Sequence, residues 1–422
     1  MKVVYRFLFV TLFIILFEII FMSEFLISGQ NKKFVGGRII LRLSYRDRIK
    51  NYLKHNPYKI GMFEGGECPR GLYYCRFIGT DWDGNIYLFD PIDDNLYILK
   101  CFDKNGLFKM MWNPIRADCG NEVAVTRDGY IWVGLRWVVD DRLDGLPIVV
   151  YRKEKKKPVM NWYYENEIPK SVKDKIHHIL NKVGLKWKRW KELPDWDLSS
   201  NDWIVLELIS TQKNQVYIKL SAPFLGTDGR YLKLLRILLN SDGSQVLDIQ
   251  LASARNPYYL SPDGKFWIVN SDFDEERWTW NRIWLFEKGK EKGEPLIDRL
   301  TNKEPWADKI ILGEAYFPII RFDAKGNIYL IWERYPQYPL KPLEPRFKVG
   351  RKTIVESPRT FGGEQALVVL DGQRRLLTYL PWRLSSVEHI EEWVHPLPDG
   401  SGFYRIEYRE REAVIYFHPL PR

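Results

Sequence analysis

The chain is poor in the residues that carry most metal and nucleophile chemistry. Its 422 residues include only 6 histidines and 4 cysteines. The cysteines contain no CxxC pair, which argues against a zinc site. No GxSxG, HExxH, Walker-type or EF-hand pattern occurs in the sequence. The motif signatures of the common serine hydrolases, zinc proteases, nucleotide hydrolases and EF-hand proteins are therefore excluded.

The sequence has one long apolar run and no second one. Lys2 and Arg6 precede apolar residues from Phe7 to Met22, which is the arrangement of an export signal. Glu18 within the run disfavours a membrane span, because a carboxylate in hydrocarbon is costly. No other apolar run approaches the ~20 residues that cross a bilayer. We expect residues 1–29 to be a cleaved signal peptide or a retained membrane anchor, and the remaining chain to be extracytoplasmic, either secreted, periplasmic or anchored.

Four cysteines in an exported chain are compatible with disulfides, and four allow three pairings. They are Cys68, Cys75, Cys101 and Cys119, so any bridge would fasten only the beginning of the fold. Unbridged buried thiols are the alternative, and the pairing stays open at this point.

Aromatic residues and turn signals are abundant. Aromatic side chains make up 15% and apolar residues 45% of the chain, and because Tyr, Phe and Trp favour strands, the composition predicts an all-β protein. A strand, a turn with Asp-Gly or Lys-Gly, and a second strand recur along the chain, and Gly suits such turns because it accepts a positive φ. The copies are FIGTDWDGNIYLF (77–89), AVTRDGYIWVGL (124–135), YLSPDGKFWIVN (259–270), IIRFDAKGNIYLIW (319–332) and HPLPDGSGFYRIEY (395–408).

Each copy is followed by a third apolar run, and a short fourth run often follows. Four antiparallel strands recurring about every 40–50 residues are typical of a β-propeller blade. Five clear copies and one divergent copy predict a six-bladed β-propeller of four-stranded antiparallel blades over residues 36–422. The predicted blades span approximately 72–112, 120–164, 202–250, 255–299, 313–382 and 390–420.

The strand GRIILRLSY (37–45) has no hairpin partner nearby in the sequence. We predict that it pairs with AVIYFHPL in the last unit. Such pairing closes the ring and removes the exposed edges that an open sheet has to protect.

The stretch DWDGNIYLFD…LYILKCFDKNGLFK resembles the NHL-type repeat of six-bladed propellers. In that repeat a D-x-x-G-N-I-Y strand is followed by an I-x-V-F-D-x-x-G strand. DAKGNIYLIW (323–332) is similar, and DGYIWVGL (128–135) looks equally like the propeller repeats of bacterial sensor proteins. The superfamily includes lactonases and related hydrolases, lyases and binding modules, so the resemblance implies an architecture and selects no activity. The Glu, Asn and Asp metal ligands of gluconolactonase-like members have no residue-by-residue match here, and we predict no catalytic residue.

One segment, residues 165–200, breaks the strand pattern. Ile176, Ile179, Leu180, Val183 and Leu185 form one apolar stripe at helical spacing, and the segment is rich in Lys and Arg. Such a basic insertion either packs its stripe on the domain with a solvated basic face or docks on an anionic membrane surface. The adjacent RKEKKKP (152–158) adds positive charge. The net charge of +10 permits an anionic partner, although we do not expect nucleic acid.

Blade geometry predicts which loops recognise a partner. The Asp-Gly turns join first to second strands, and they are short, so the face that carries them should be plain. The longer connections from second to third strands lie on the opposite face, where insertions usually mark the binding surface. FDPIDDN (89–95) is one of these connections. The residues predicted to bind a protein or glycan partner lie in the others and are Arg136, Trp137, Asp140, Asp272, Asp274, Arg277, Trp278, Trp280, Glu333, Arg334 and Tyr335.

These residue types suit recognition because acidic groups accept hydrogen bonds, Arg clamps polar groups, and Trp and Tyr stack. Asp272, Asp274, Glu275 and Glu276 also offer clustered oxygen ligands for Ca²⁺, although the adjacent Arg277 indicates internal ion pairing. We predict no other cofactor. His395 and His418, on what we take to be neighbouring strands, are interpreted as packing residues.

Two competing functions stay open. A metal-dependent lactonase-like hydrolase or lyase requires Asp, Glu, Asn or His side chains converging from the innermost strands. A membrane-anchored structural component requires that the N-terminal segment be retained.

Overall fold

A computed structural model gives the architecture of the chain. It describes residues 37–49, 51, 56–64, 72–94, 96–116, 119–137, 145–182, 204–226, 229–253, 258–260, 266–270, 273–274, 279–280, 282–287, 294–298, 319–334, 346–349, 352–355, 364–383, 394–409 and 411–421. The predicted signal or anchor segment, Cys68 and the Asp263-Gly264 turn lie outside these residues.

The turns between strands share one backbone geometry. Gly84 and Gly326, the last residues of two Asp-initiated turns, have φ of +80° and +86°, a conformation that Gly adopts without a steric penalty. Asn214 and Arg374 take the equivalent position in two other turns, with φ of 57° and 67°. The turn signals of the sequence therefore mark hairpins, as the pattern predicts.

Five blades are built from consecutive strands of the chain, each an antiparallel four-stranded sheet. Blade 1 contains β4 (Arg76–Thr80), β5 (Ile86–Asp93), β6 (Leu96–Phe102) and β7 (Phe108–Met111), with β8 (Ile115–Arg116) beside β6. Blade 2 contains β9 (Cys119–Val125), β10 (Tyr130–Trp137), β11 (Ile148–Arg152) and β12 (Lys155–Asn161). Blade 3 contains β13 (Ile204–Ser210), β14 (Gln215–Gly226), β15 (Gly229–Asn240) and β16 (Val246–Ser253).

Blades 4 and 5 each carry an extra hairpin between their second and third strands. Blade 4 contains β17 (Tyr258–Leu260), β18 (Phe266–Asn270), β21 (Arg282–Glu287) and β22 (Glu294–Asp298), with the hairpin β19 (Phe273–Asp274) and β20 (Thr279–Trp280). Blade 5 contains β23 (Ile319–Phe322), β24 (Ile328–Arg334), β27 (Glu364–Leu370) and β28 (Leu376–Arg383), with the hairpin β25 (Arg346–Val349) and β26 (Lys352–Val355).

A closing sheet joins the two ends of the described chain. Its order is β29 (Val394–Pro396), β30 (Gly402–Tyr408), β31 (Glu412–Pro419), β1 (Arg38–Arg46), β2 (Lys59–Glu64) and β3 (Leu72–Tyr74). β1 pairs antiparallel with β31, placing Leu43 opposite Ala413. The pairing predicted for GRIILRLSY and AVIYFHPL is therefore present. The chain is an all-β propeller with four-stranded antiparallel blades.

A buried ion cluster holds the N-terminal strands against blade 1. The Asp90 carboxylate lies 2.7 Å from Lys100 Nζ and 2.8 Å from an Arg46 guanidinium nitrogen, and it accepts a 2.7 Å hydrogen bond from the Gly61 amide. Asp90 and Lys100 are fully buried. The interpretation of FDPIDDN as a ligand loop is wrong for this carboxylate, because β5 continues to Asp93 and Asp90 is neutralised inside the fold.

The helix α1 (Lys170–Lys182) is the α-helix of the described chain. Val172, Ile176 and Leu180 are fully buried in a cluster with Trp132 and Trp162 of blade 2 and with strands of blade 3. Ile179 is partly buried, while Val183 and Leu185 lie outside the described residues. The alternative in which the apolar stripe packs on the domain is therefore correct for α1. Among the described residues, no helix is both long and apolar enough to cross a bilayer.

Candidate functional site

The first strands of the blades surround a central channel. β29 contacts β4, β4 contacts β9, β9 contacts β13, and β23 contacts β29. The approach is close: a Cβ on Gly79 would lie 2.4 Å from Val123 Cγ1. These strands therefore lie side by side in the order β23, β29, β4, β9 and β13, and their side chains line one cavity.

A cavity of ≈ 80 Å³ lies in this channel. Its walls come from β4, β9, β13, β23 and β29 and from residues just after them. Most of the lining belongs to the ends of these strands that lead into the short turns. The polar wall residues are Thr80, Glu122, Glu207, Ser210, Arg321, Asp323 and His395. The cavity thus lies towards the face that the sequence predicts to be plain.

An ion pair spans the channel at the cavity. Arg321 donates to both oxygens of Glu122, at 3.0 and 3.3 Å, and the two side chains are only 14% and 9% exposed. β29 and β4 lie between their strands in the order of contacts. The pair therefore joins non-adjacent walls of the cavity. A bidentate Arg–carboxylate pair of this kind is strong and geometrically specific.

Glu207 is the second carboxyl group in the cavity. Its strand neighbour is Lys219, which in turn lies opposite Arg236, so the three side chains form a row across blade 3. Burial raises the pKa of the Glu207 carboxyl, although Lys219, Arg321 and Arg236 favour its charged form. Oε2 of Glu207 has no hydrogen-bond partner among the described residues.

Side chains from the short turns hydrogen-bond to residues that line the cavity. Trp82, after β4, donates a 3.2 Å hydrogen bond to the Ser210 hydroxyl at the end of β13, and the Arg127 guanidinium lies 4.1 Å from the Trp82 ring centroid. Gln212, after β13, donates to the Ala324 carbonyl beyond β23. Both side chains reach past a neighbouring blade, so they link non-adjacent turns across the channel mouth.

His395, His418, Cys75 and Cys101 have packing roles in the described chain. The His395 ring lies 4.2 Å from Phe77 and also lines the cavity, and His418 stacks on Phe403 at 4.9 Å. The interpretation of both as packing residues fits these contacts, but β30 separates their strands, so they are not neighbours. Cys75 and Cys101 are buried thiols, and burial raises the pKa of Cys101 to about 12.

The described part of the chain places only some of the predicted binding residues. Arg136 and Trp137 end β10, Glu333 and Arg334 end β24, and Asp274 and Trp280 share the β19–β20 hairpin. In that hairpin Phe273 pairs with Trp280, and Asp274 pairs with Thr279. Asp140, Asp272, Arg277, Trp278 and Tyr335 lie outside the described residues, as do Glu275 and Glu276 of the Ca²⁺ prediction.

Sequence reasoning missed Glu122, Glu207 and Arg321. Each is a lone charged residue within an apolar first strand, in NEVAV, VLELIS and IIRF. That interruption is the local signal that could have identified them. Within the described residues no three His, Cys, Asp or Glu side chains are grouped so as to hold a metal ion.

Comparison with known proteins yields structural similarity only. No protein-family model matches the sequence, and no curated protein matches it. The chain is similar to a member of the DUF4221 family from Bacteroides vulgatus, with a TM-score of 0.41 and 10% identity over 86% of this chain and 96% of that one. It is also similar to a luciferin-regenerating enzyme, with a TM-score of 0.38 and 10% identity over 81% of this chain and 90% of that one. It is similar as well to the β-propeller domain of the Trilobed protease from Pyrococcus furiosus, with a TM-score of 0.34 and 8% identity over 81% of this chain and 95% of that one. At these values the similarities say nothing about activity or ligand, and the propeller architecture rests on the strand pairing itself.

Proposed function

We propose that this chain is an exported binding module that recognises a protein or glycan through the face carrying its second-to-third-strand connections. The observation that carries the proposal is an uneven distribution of these connections. In blade 1 and in the closing sheet they are short, at 94–95 and 409–411. In blades 2, 4 and 5 they run over 138–147, 271–281 and 335–363, and blade 3 has the long β14–β15 hairpin.

Four blades consecutive along the chain thus extend on one face. Extensions confined to one face of a ring are typical of a recognition surface, since the scaffold itself does not need them. All eleven predicted binding residues lie in, or at the ends of, the connections of blades 2, 4 and 5. Loops that mix Trp, Tyr and Arg with carboxylates suit a polar partner with stacking surfaces, such as a glycan or a protein loop.

The proposal includes the architecture and location that fit this role. The closing sheet serves as the sixth blade, with NHL-like repeats clearest at DWDGNIY and DAKGNIY. Residues 1–29 direct export, and the exposed lysines of β12 and α1 form a basic side surface suited to an anionic membrane. N-terminal sequencing of the mature protein distinguishes a cleaved signal from a retained anchor, and retention would favour a membrane-anchored structural role.

The test compares substitutions on the two faces. The full chain is screened against an immobilised glycan panel and, by crosslinking in the extracytoplasmic fraction, against proteins. Trp278→Ala with Trp280→Ala should weaken capture about thirtyfold or more, because a hot-spot truncation costs about 2 kcal/mol or more. Lys213→Ala, an exposed residue of the β13–β14 turn on the other face, is the control and should leave capture unchanged. Equal capture by both variants would contradict the proposed face.

A metal-dependent hydrolase or lyase is the second candidate. The observation in its favour is that two carboxyl groups and a histidine, Glu122, Glu207 and His395, line one cavity. However, Glu122 is committed to Arg321, and among the described residues no three such side chains are grouped so as to hold a metal ion. Elemental analysis of the purified protein for bound Ca²⁺, Zn²⁺ or Mg²⁺ separates the candidates. Stoichiometric metal that is lost on Glu207→Gln would support the enzyme, whereas stoichiometric Ca²⁺ lost on Asp272→Asn would place the ion in the predicted acidic cluster.

A further inference from the structure

The channel cavity contains a buried carboxyl oxygen that the described protein does not satisfy. Glu207 is 8% exposed, and its Oε2 lacks a hydrogen-bond partner among the described residues. Buried polar atoms are nearly always hydrogen-bonded, because an unmade bond forfeits the solvation that the group had in water. An occupant of the cavity that hydrogen-bonds to Glu207 would remove this penalty.

The walls present charges of both signs at short range. The carboxyl groups of Glu122 and Glu207 and the guanidinium of Arg321 line the cavity, and Lys219 and Arg236 act on Glu207 from within blade 3. A ligand with a net charge of either sign would therefore meet like charges. A neutral ligand meets only donors and acceptors, and burying it carries no ionic desolvation penalty.

The remaining walls suit a molecule that is polar on some sides and apolar on others. Thr80 and Ser210 add hydroxyl groups, while Ile78, Val123 and Phe322 add apolar surface. The volume of ≈ 80 Å³ holds about 5–8 water-sized groups, given roughly 10–15 Å³ for each. This size corresponds to a polyol of three or four carbon atoms.

From these observations we infer that the channel cavity is a binding site for a small neutral polyhydroxylated molecule, with Glu207 as its central hydrogen-bonding group. The bidentate Glu122–Arg321 pair supplies further donors and acceptors to the lining. Trp82, held between the Ser210 hydroxyl and the Arg127 guanidinium, lies next to the site, because Ser210 lines the cavity. The site lies towards the short-turn face, so it goes beyond the proposed partner surface and does not depend on it.

The experiment measures binding of erythritol to the full chain by titration calorimetry and ligand-observed NMR. Succinate and putrescine, which are of similar size but carry negative and positive charge, are the comparison probes. Erythritol should bind saturably and compete with glycerol, while the two charged probes should bind at least tenfold more weakly. No saturable erythritol binding by folded protein would mean that the cavity holds water only, and that result overturns the inference, as would tighter binding of succinate or putrescine.

Variants locate the binding. Glu207→Leu should weaken erythritol binding at least tenfold, and Glu207→Gln should keep it within about threefold because the amide still donates and accepts hydrogen bonds. Ile78→Phe, which fills the cavity and leaves every polar group in place, should also abolish binding. Glu154→Gln, an exposed carboxylate in the β11–β12 turn, is the matched control. Binding that survives both Glu207→Leu and Ile78→Phe in folded protein would show that the ligand binds elsewhere.

Discussion

Two buried carboxyl groups of this propeller illustrate opposite ways of placing a charge inside a protein. Asp90 is surrounded by Lys100, Arg46 and the Gly61 amide at 2.7–2.8 Å, so its charge is fully compensated. Glu207 is also buried, but burial outweighs the nearby cations and raises its pKa. A compensated charge fastens elements together, whereas an incompletely compensated one is available to a ligand.

The raised pKa of Glu207 predicts a pH dependence of stability. The folded protein keeps the Glu207 proton to a higher pH than the unfolded chain does. The two states therefore begin to differ in the protonation of this carboxyl group only when the pH rises above its ordinary pKa of 4.5. As the pH rises from there through the folded-state pKa, the unfolded carboxyl group ionises first, and the free energy of unfolding falls. Glu207→Gln should remove this part of the decline, as measured by urea denaturation between about pH 4 and pH 8.

The comparison variant for this measurement is Glu154→Gln, which removes an exposed carboxylate. It should leave the decline with pH as large as in the unsubstituted protein. If the curves of Glu207→Gln and the unsubstituted protein stay parallel across this range, the account of Glu207 is wrong.

The hairpin turns show how a repeated sequence becomes a repeated element. In DWDGNIY, Asp81 accepts hydrogen bonds from the amide of Asp83, from the amide and side chain of Asn85, and from the Tyr87 hydroxyl. In DAKGNIY, Asp323 makes the same set with Lys325, Asn327 and Tyr329 at 2.6–3.1 Å. The D-x-x-G-N-I-Y motif is therefore a buried network that ties a first strand to its second strand.

Asp323→Ala should lower the free energy of unfolding by about 3 kcal/mol. The substitution leaves the Asn327 side chain and the Tyr329 hydroxyl buried without their acceptor, at about 1–3 kcal/mol for each such group. Asp103→Ala removes the corresponding carboxylate from an exposed turn, where it accepts hydrogen bonds from the backbone amides of Asn105 and Leu107. That control should cost about 1 kcal/mol. Equal losses for the two variants in chemical denaturation would contradict a special role for the buried network.

The local sequence pattern predicted the hairpins and α1, because turn residues and helical spacing act over a few neighbouring positions. The same pattern could not predict ion pairs between residues that are far apart in the sequence. The Glu122–Arg321 pair joins residues 199 positions apart, and nothing near either residue indicates the other. FDPIDDN has the composition of a polar loop because it contains charged residues such as Asp90. In the fold, however, Lys100 and Arg46 of β1 neutralise the Asp90 carboxylate.

At the scale of the whole molecule, the ring separates two surfaces with different sequence constraints. The short-turn face repeats one hydrogen-bonding motif and lies towards a small cavity, whereas the opposite face carries connections that differ from blade to blade. Packing and hydrogen bonds constrain the sequence of the short-turn face, whereas the connections on the opposite face lie outside the four-stranded blades. The proposed ligand site in the channel and the proposed partner surface can therefore be tested by separate substitutions.

Closure of the ring by β1 yields the last prediction. Along β1, Leu43 is fully buried in the core shared with β31, whereas Ile39 is 40% exposed. Leu43→Ala should lower the free energy of unfolding by about 2–5 kcal/mol, as expected for a core leucine, and Ile39→Ala should change it by about 0.5 kcal/mol or less. Deleting residues 37–45 should have a larger effect, because it exposes the edge of β31 and removes Leu41 as well as Leu43, both of which are buried. Melting temperatures of the three variants measure this order, and an unchanged melting temperature for the deletion would show that β1 does not hold the ring closed.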